Sequence, residues 1–249
     1  MTTDRTVADL VVERLVAWDV ERIYGYAGDG NNPLLGALQR AEIAPTFGRA
    51  RHEESAAFMA VADAKYSGAV GVMTSTQGPG AMHLLNGLYD AKLDSVPVVA
   101  LVAQQHTSVL GSGYQQEINL GNVFADVAGP YLQTVSSAEQ APMVIDRAFR
   151  SALTHRTPVV VILPHDVQNA EAPELGEDLD QEHGVVVTAP EWTHGVTTPP
   201  RRRRGARRGG ARRGGADRDP GRARRRRCAG GIDGARRAPG RRRDDEPVG

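Results

Sequence analysis

Among the residues able to do chemistry, one acid pair stands out at Arg51-His52-Glu53-Glu54, where a polar turn runs directly into Ser55-Ala56-Ala57-Phe58-Met59-Ala60. A carboxylate at Glu53 could act as a general acid or base, provided the chain holds it out of bulk water beside a ligand. The plainer role is electrostatic: acids in a first helical turn offset the helix dipole for about 0.3–1 kcal/mol. The neighbouring elements favour a ligand. Residues 44–48 read as a short strand, and Ala56, Ala57, Met59, Ala60, Ala62 and Ala64 read as a slim helix able to pack closely. Glu53 then falls at a strand-to-helix junction, the edge at which open α/β sheets bind their ligands.

Three further stretches have suggestive chemistry. Gly78-Pro79-Gly80 precedes a helix at residues 81–92; two glycines beside a rigid proline let backbone approach a flat group, and the helix start favours polar or anionic atoms. Gly28-Asp29-Gly30-Asn31-Asn32-Pro33 resembles a dinucleotide fingerprint, but Pro33 stands where a third glycine is needed. It reads instead as a glycine turn shaping a pocket wall, with Asn32 as helix N-cap and Pro33 at the first helical position. Gly111-Ser112-Gly113-Tyr114-Gln115-Gln116-Glu117 is a flexible, amide-rich loop of the kind that carries specificity contacts. The seven histidines show no metal-ligand spacing, no serine sits in a nucleophile elbow, and no metal site is expected.

The elements that must position these residues alternate along the chain. Helical periodicity at residues 3–18 is followed by a strand at 22–26 and a helix at 34–40. After the strand and helix around Glu53 come strands at 69–74, 96–103, 129–135 and 157–163, with helices at 81–92 and 138–154. The runs Val70–Met73, Val98–Val102 and Val159–Leu163 are continuously apolar, as strands covered on both faces must be. The expectation is an α/β fold: one doubly wound, mostly parallel sheet of about six strands within residues 1–170. Residues 171–200 read as an acidic, proline-interrupted linker.

The formal net charge of zero hides two unlike materials. Residues 201–249 hold 19 arginines against six acids, a net of +13, with one Ile, one Val and no Leu; the first 200 residues carry −13. The tail therefore cannot bury a core and is expected to be disordered. Its charge would draw phosphate, yet it has no aromatic residue to stack on bases, which argues against nucleic acid as a partner. Arg, Gly, Ala and Pro are also what GC-rich DNA gives in a wrong frame, so the tail is read as out of frame, with a one-base shift between about Trp192 and Arg207. The single cysteine, Cys228, excludes a disulfide framework. No leader pattern or apolar span is present, so a cytoplasmic body is the default expectation.

The order of motifs is more specific than any one of them. Tyr24–Gly30, then Arg51-His52-Glu53-Glu54, then Gly78-Pro79-Gly80, then Asn86-Gly87-Leu88-Tyr89-Asp90-Ala91-Lys92 resembles the N-terminal, pyrimidine-binding domain of thiamine-diphosphate-dependent enzymes. Through Gly111-Ser112-Gly113-Tyr114 and Gln116-Glu117 it is most similar to the pyruvate oxidase and quinone-linked pyruvate dehydrogenase group, with an acetolactate synthase-like enzyme as the alternative. The resemblance implies thiamine diphosphate as cofactor and Glu53 as its activating glutamate. A carboxylate hydrogen-bonded to the aminopyrimidine nitrogen favours the imino form, which takes the thiazolium C2 proton, and burial favours a shared proton.

By the same resemblance Gly28, Gly78, Pro79, Gly80, His83 and Asn86 lie around the cofactor, and Gln115 and Gln116 face the substrate. Gln115 stands where the pyruvate oxidases usually carry an aromatic residue, and Ala27-Gly28 where they carry Pro-Gly. The intact family continues into a central domain, which binds FAD in the oxidases, and a third that holds the diphosphate and Mg²⁺. Its sites form between subunits of a homodimer or tetramer. The expectation for this chain is half of such a site, inactive alone.

Overall fold

The computed structural model describes residues 5–174. The chain divides into two units, Met1–Val196 and Thr197–Gly249, and every described residue lies in the first. The expectations of a disordered, out-of-frame tail and of a linker over its masked part fall outside the described residues.

In chain order the elements are α1 (Val7–Ala17), β1 (Arg22–Gly25), α2 (Asn32–Arg40), β2 (Thr46–Arg49), α3 (Glu53–Ser67), β3 (Gly71–Ser75), α4 (Pro79–His83), α5 (Leu85–Leu93), β4 (Val98–Gln104), α6 (Leu120–Phe124), β5 (Leu132–Thr134), α7 (Ala141–His155), β6 (Pro158–Pro164) and α8 (His165–Asn169). The six strands form one sheet in the order β2-β1-β3-β4-β6-β5, and every pairing is parallel. β3, β4 and β6 are buried along their whole length, as their unbroken apolar runs require.

Alternation along the strands divides the core in two. Val99, Leu101, Val159 and Val161 face a layer made by α1, α2 and α7, whereas Val98, Ala100, Val102 and Val160 face α3, α5 and α6. On the second layer the packing is close because the residues are small. A Cβ on Gly71 would lie 2.2 Å from the carbonyl oxygen of Ala60, and one on Gly87 2.4 Å from Cβ of Ala57.

β1 and β3 are neighbours whose connections leave in opposite directions, to β2 on one side and to β4 on the other. That is a topological switch point, and the loops leaving the C-terminal ends of these strands border a crevice there.

Local details depart from the expected boundaries. The helix at 81–92 is two pieces, tightened at Leu84, whose N–H bonds the carbonyl of Ala81. Asn32 is the first helical residue of α2 and not its cap. The residue before it, Asn31, is buried and uses its side chain on the loop, accepting from the Gly28 N–H and donating to the Tyr26 carbonyl. Met59 and Ala62 face outward, not into the α3 packing. The segment after α8 is anchored: Thr6 and Glu171 form an antiparallel bridge, and the Ala172 N–H donates to the Arg5 carbonyl.

Candidate functional site

Glu53 opens α3, with His52 as its N-cap; the His52 ring accepts from the Glu54 N–H at 3.3 Å. The carboxylate is buried by its position between α3, the β3 loop and α4, with only 6% of the residue exposed. Oε2 lies 2.9 Å from His83 Nδ1. With the carboxylate ionised, that imidazole nitrogen donates. Oε1 faces Gly80, where a Cβ would sit 3.0 Å from it and 2.7 Å from Thr76 Cγ2. Glycine therefore lets the α4 backbone close on one carboxylate oxygen while histidine holds the other.

Gly78 is required for two independent reasons. Its φ of +59° lies in the region that L side chains avoid, and a Cβ there would lie 2.7 Å from the carbonyl oxygen of Gln116. Gln116 itself adopts a positive φ of +64°. Its side chain accepts from Gln77 Nε2 at 3.3 Å, and Gln77 accepts in turn from the Thr76 hydroxyl at 2.7 Å. The loops after β3 and β4 are thus joined by a chain of amides, with Gly30 of the β1 loop donating its N–H to Thr76.

These loops border a hollow of about 300 Å³. Asp29 and Gly30 come from the β1 loop and Gln77 from the β3 loop; Gln105, His106, Tyr114, Gln115 and Gln116 follow β4, and His165 follows β6. The lining is mostly polar, and every contributor sits at the C-terminal ends of the strands. Gln115 and Gln116 line this hollow, whereas Glu53, Gly80 and His83 are not among its lining residues.

The loop at 111–117 is tied down. Glu117 accepts N–H bonds from Gly111 at 2.5 Å, Gly113 at 2.9 Å and Tyr114 at 3.0 Å. These bonds, Gly111's foremost, hold its carboxyl below the usual glutamate range.

The remaining expected residues take supporting positions. Gly28 packs its α-carbon against Thr76, which a Cβ would meet at 2.6 Å. Pro79 is exposed at the first turn of α4. Asn86 donates to Glu54 at 2.8 Å, not to Glu53. The fold also makes a grouping that sequence spacing hid. His52 and His83 lie with ring centroids 4.3 Å apart, and one ligand atom each from His52, Glu53 and His83 falls within 4.8 Å of the others. Only the approach of α4 to the start of α3 reveals this, since Glu53 and His83 are 30 residues apart.

A buried carboxylate at the C-terminal edge of the sheet, packed against glycine backbone, suits a ligand that carries a basic ring nitrogen. Residues 5–123 match the family model described as the thiamine pyrophosphate enzyme, N-terminal TPP binding domain. The chain is 40% identical over 163 residues to the pyruvate oxidase of Lactiplantibacillus plantarum, covering 66% of this chain and 27% of that protein. It is 38% identical over 170 residues to the acetolactate synthase of Arthrospira platensis, covering 67% and 29%. It is also 37% identical over 195 residues to YdaP of Bacillus subtilis, whose name refers to thiamine pyrophosphate, covering 78% and 32%. The chain spans about a third or less of the length of these relatives.

Proposed function

From the membership of residues 5–123 in the N-terminal, TPP-binding domain family of thiamine pyrophosphate enzymes, we propose that Glu53 binds the aminopyrimidine ring of thiamine diphosphate. The observation that carries this reading is a buried carboxylate at the switch-point edge of the sheet, its Oε1 packed against the backbone of Gly80 more closely than a side chain there would allow. The fit is chemical, since a pyrimidine ring nitrogen can share a proton with a carboxylate held out of water. When bound, the cofactor supplies an electron sink for cleaving the bond next to a 2-oxo acid's carbonyl. The chain's own part is narrower. Glu53 holds and moves the proton at the ring nitrogen, His83 fixes the rotamer of that carboxylate, and backbone at Gly78–Gly80 packs along the ring edge. Gln116 and Gln77 present amides to the hollow where the substrate end would lie.

The activity is that of a 2-oxo-acid-decarboxylating enzyme of the pyruvate oxidase type. The similar identity to an acetolactate synthase supports the same half-reaction and leaves the second substrate to other parts of the site. Diphosphate, Mg²⁺ and any FAD fall to regions beyond this domain, so the domain by itself binds thiamine diphosphate weakly.

Subunit assembly is supported by the outer surface of α3, α4 and α5. Phe58, Met59, Met82 and Leu93 are 42%, 40%, 50% and 80% exposed, an apolar concentration of the kind that marks an interface. Among the described residues no helix is long and apolar enough to cross a membrane.

Activity is tested by replacing the matching domain of the Lactiplantibacillus plantarum pyruvate oxidase with residues 5–174 of this chain. The hybrid is expected to decarboxylate pyruvate, and Glu53→Gln in it to lower kcat by about 10²–10⁴-fold. An active hybrid unaffected by Glu53→Gln would contradict the reading.

A further inference from the structure

We propose that His52, Glu53 and His83 form a binding site for a borderline divalent transition-metal ion, Zn²⁺ in the first instance. Two imidazoles and a carboxylate match the preference of zinc for mixed nitrogen and oxygen ligands, and suit Mg²⁺ or Ca²⁺ poorly because those ions take oxygen.

The geometry is close to formed. In a tetrahedral zinc site with ligand bonds of about 2.0–2.2 Å, ligand atoms stand roughly 3.5 Å apart. Here the three atoms lie within 4.8 Å of one another, and the Glu53–His83 pair is already at 2.9 Å. Glu53 is anchored by burial, while the side chains of His52 and His83 are 46% and 43% exposed and free to close by an ångström or so. Their exposure also leaves a fourth position for water. Bringing His52 onto the ion costs only its long 3.3 Å cap bond to the Glu54 N–H.

An acceptor for the remaining ring nitrogen is in place for one of the histidines. A metal-bound imidazole presents its other nitrogen as a donor, and such donors are commonly received by a carboxylate. Glu54 Oε2 lies 3.9 Å from His52 Nδ1, and Glu54 is itself fixed through Asn86 at 2.8 Å. With Nε2 on the ion, a small rotation gives His52 this partner. The pairing of Asn86 with Glu54, otherwise idle with respect to the carboxylate of Glu53, thereby acquires a use.

Occupation of this site draws on the carboxylate that the other ligand needs. Resting on the proposed role of Glu53, the consequence is antagonism: an ion on Oε2 makes Oε1 a poorer acceptor for a proton shared with the pyrimidine, and zinc acts as a reversible inhibitor of cofactor binding.

The test uses the full chain with Zn²⁺ alone as probe, followed by calorimetry, with Cys228→Ser as the background that removes the only thiolate. One site is expected, weakened at least about tenfold by His52→Ala and by His83→Ala and unchanged by His106→Ala. Zinc affinity retained in both His52→Ala and His83→Ala overturns the site. X-ray absorption on the unsubstituted 1:1 zinc complex gives a check that no variant's folding can confuse. It should show two imidazoles and a carboxylate oxygen at about 2.0–2.2 Å; a sulfur shell or an imidazole-only shell overturns the assignment. Adding thiamine diphosphate separates the two claims. Histidine-dependent zinc binding that leaves cofactor affinity unchanged keeps the metal site and overturns the placement of the pyrimidine at Glu53.

Discussion

The two faces of the sheet solve the same burial problem with different materials. The face covered by α1, α2 and α7 is filled by bulk: Trp18 stacks on Phe149 at 5.2 Å, and Leu15, Ile23, Leu34 and Ile145 are fully buried around them. On the face covered by α3 and α5 the backbones close on one another through small residues, Ala60 against Gly71 and Ala57 against Gly87, with Met73, Leu88 and Phe124 filling the remainder. Bulk gives stability, while backbone proximity gives position. Glu53 heads the helix that lies closest to the sheet, which is why its carboxylate meets Gly80 and His83 instead of water. The larger apolar residues of α3 and α4, Phe58, Met59 and Met82, are displaced to the outside, where they are available to a partner.

The comparison predicts its own failures. The largest effect on stability should come from the bulk face, where the fully buried Asp146 accepts from Arg14 at 2.9 Å and from Trp18 Nε1 at 2.8 Å. Asp146→Ala removes the acceptor that both share and should cost about 3–5 kcal/mol in urea unfolding. Asp63→Ala, which removes an ion pair with the exposed Arg22, should cost under about 1 kcal/mol. Similar losses for the two would show that α1 and α7 are not clamped as described.

A smaller effect with a sharper location is expected on the close-packed face. Gly87→Ala would push a methyl to within 2.4 Å of Ala57 Cβ and should cost about 1–3 kcal/mol. Because α5 must move, amide shifts should spread along α3 toward Glu53. A variant that is equally stable and shows no change at Glu53 would separate the packing of this face from the geometry of the carboxylate.

The smallest effect is a pH dependence confined to one loop. The Glu117 carboxyl is held below the ordinary range by the N–H groups of Gly111, Tyr114 and Gly113. A depressed carboxyl contributes order that is fully present above its unfolded pKa and is lost as pH falls through the folded value. Exchange protection of those three amides should therefore persist at neutral pH and disappear below the usual glutamate range. In Glu117→Gln the pH dependence should vanish. Unchanged protection at acid pH in the parent chain would contradict the tie.

Legibility in the sequence followed burial. The buried strands β3, β4 and β6 announce themselves as apolar runs, and the glycine motifs at 28–30 and 78–80 mark close approaches that the fold indeed contains. The five-residue helices α6 and α8 are too short to develop a periodicity, and nothing in the local sequence distinguishes them from loop. Asn31 and Asn32 are both good cap residues, and only the Tyr26–Asn31 contact across the turn decides which one the loop consumes. The order of motifs pointed to both Glu53 and His83, but not to the 2.9 Å contact between them or to the approach of His52, which depend on how α4 meets α3. The organising role of Glu117 was hidden in the same way, behind a stretch whose composition reads simply as flexible.

The central claim is that the Glu53 carboxylate binds a pyrimidine ring. It is tested most directly by amide NMR of the full chain titrated with thiamine diphosphate into the millimolar range, where weak binding is still visible. The account predicts shifts centred on Glu53, Gly78, Gly80 and His83, saturating together and absent in Glu53→Gln. Shifts confined to the hollow around His106 and Tyr114, or the same shifts in Glu53→Gln, would contradict it.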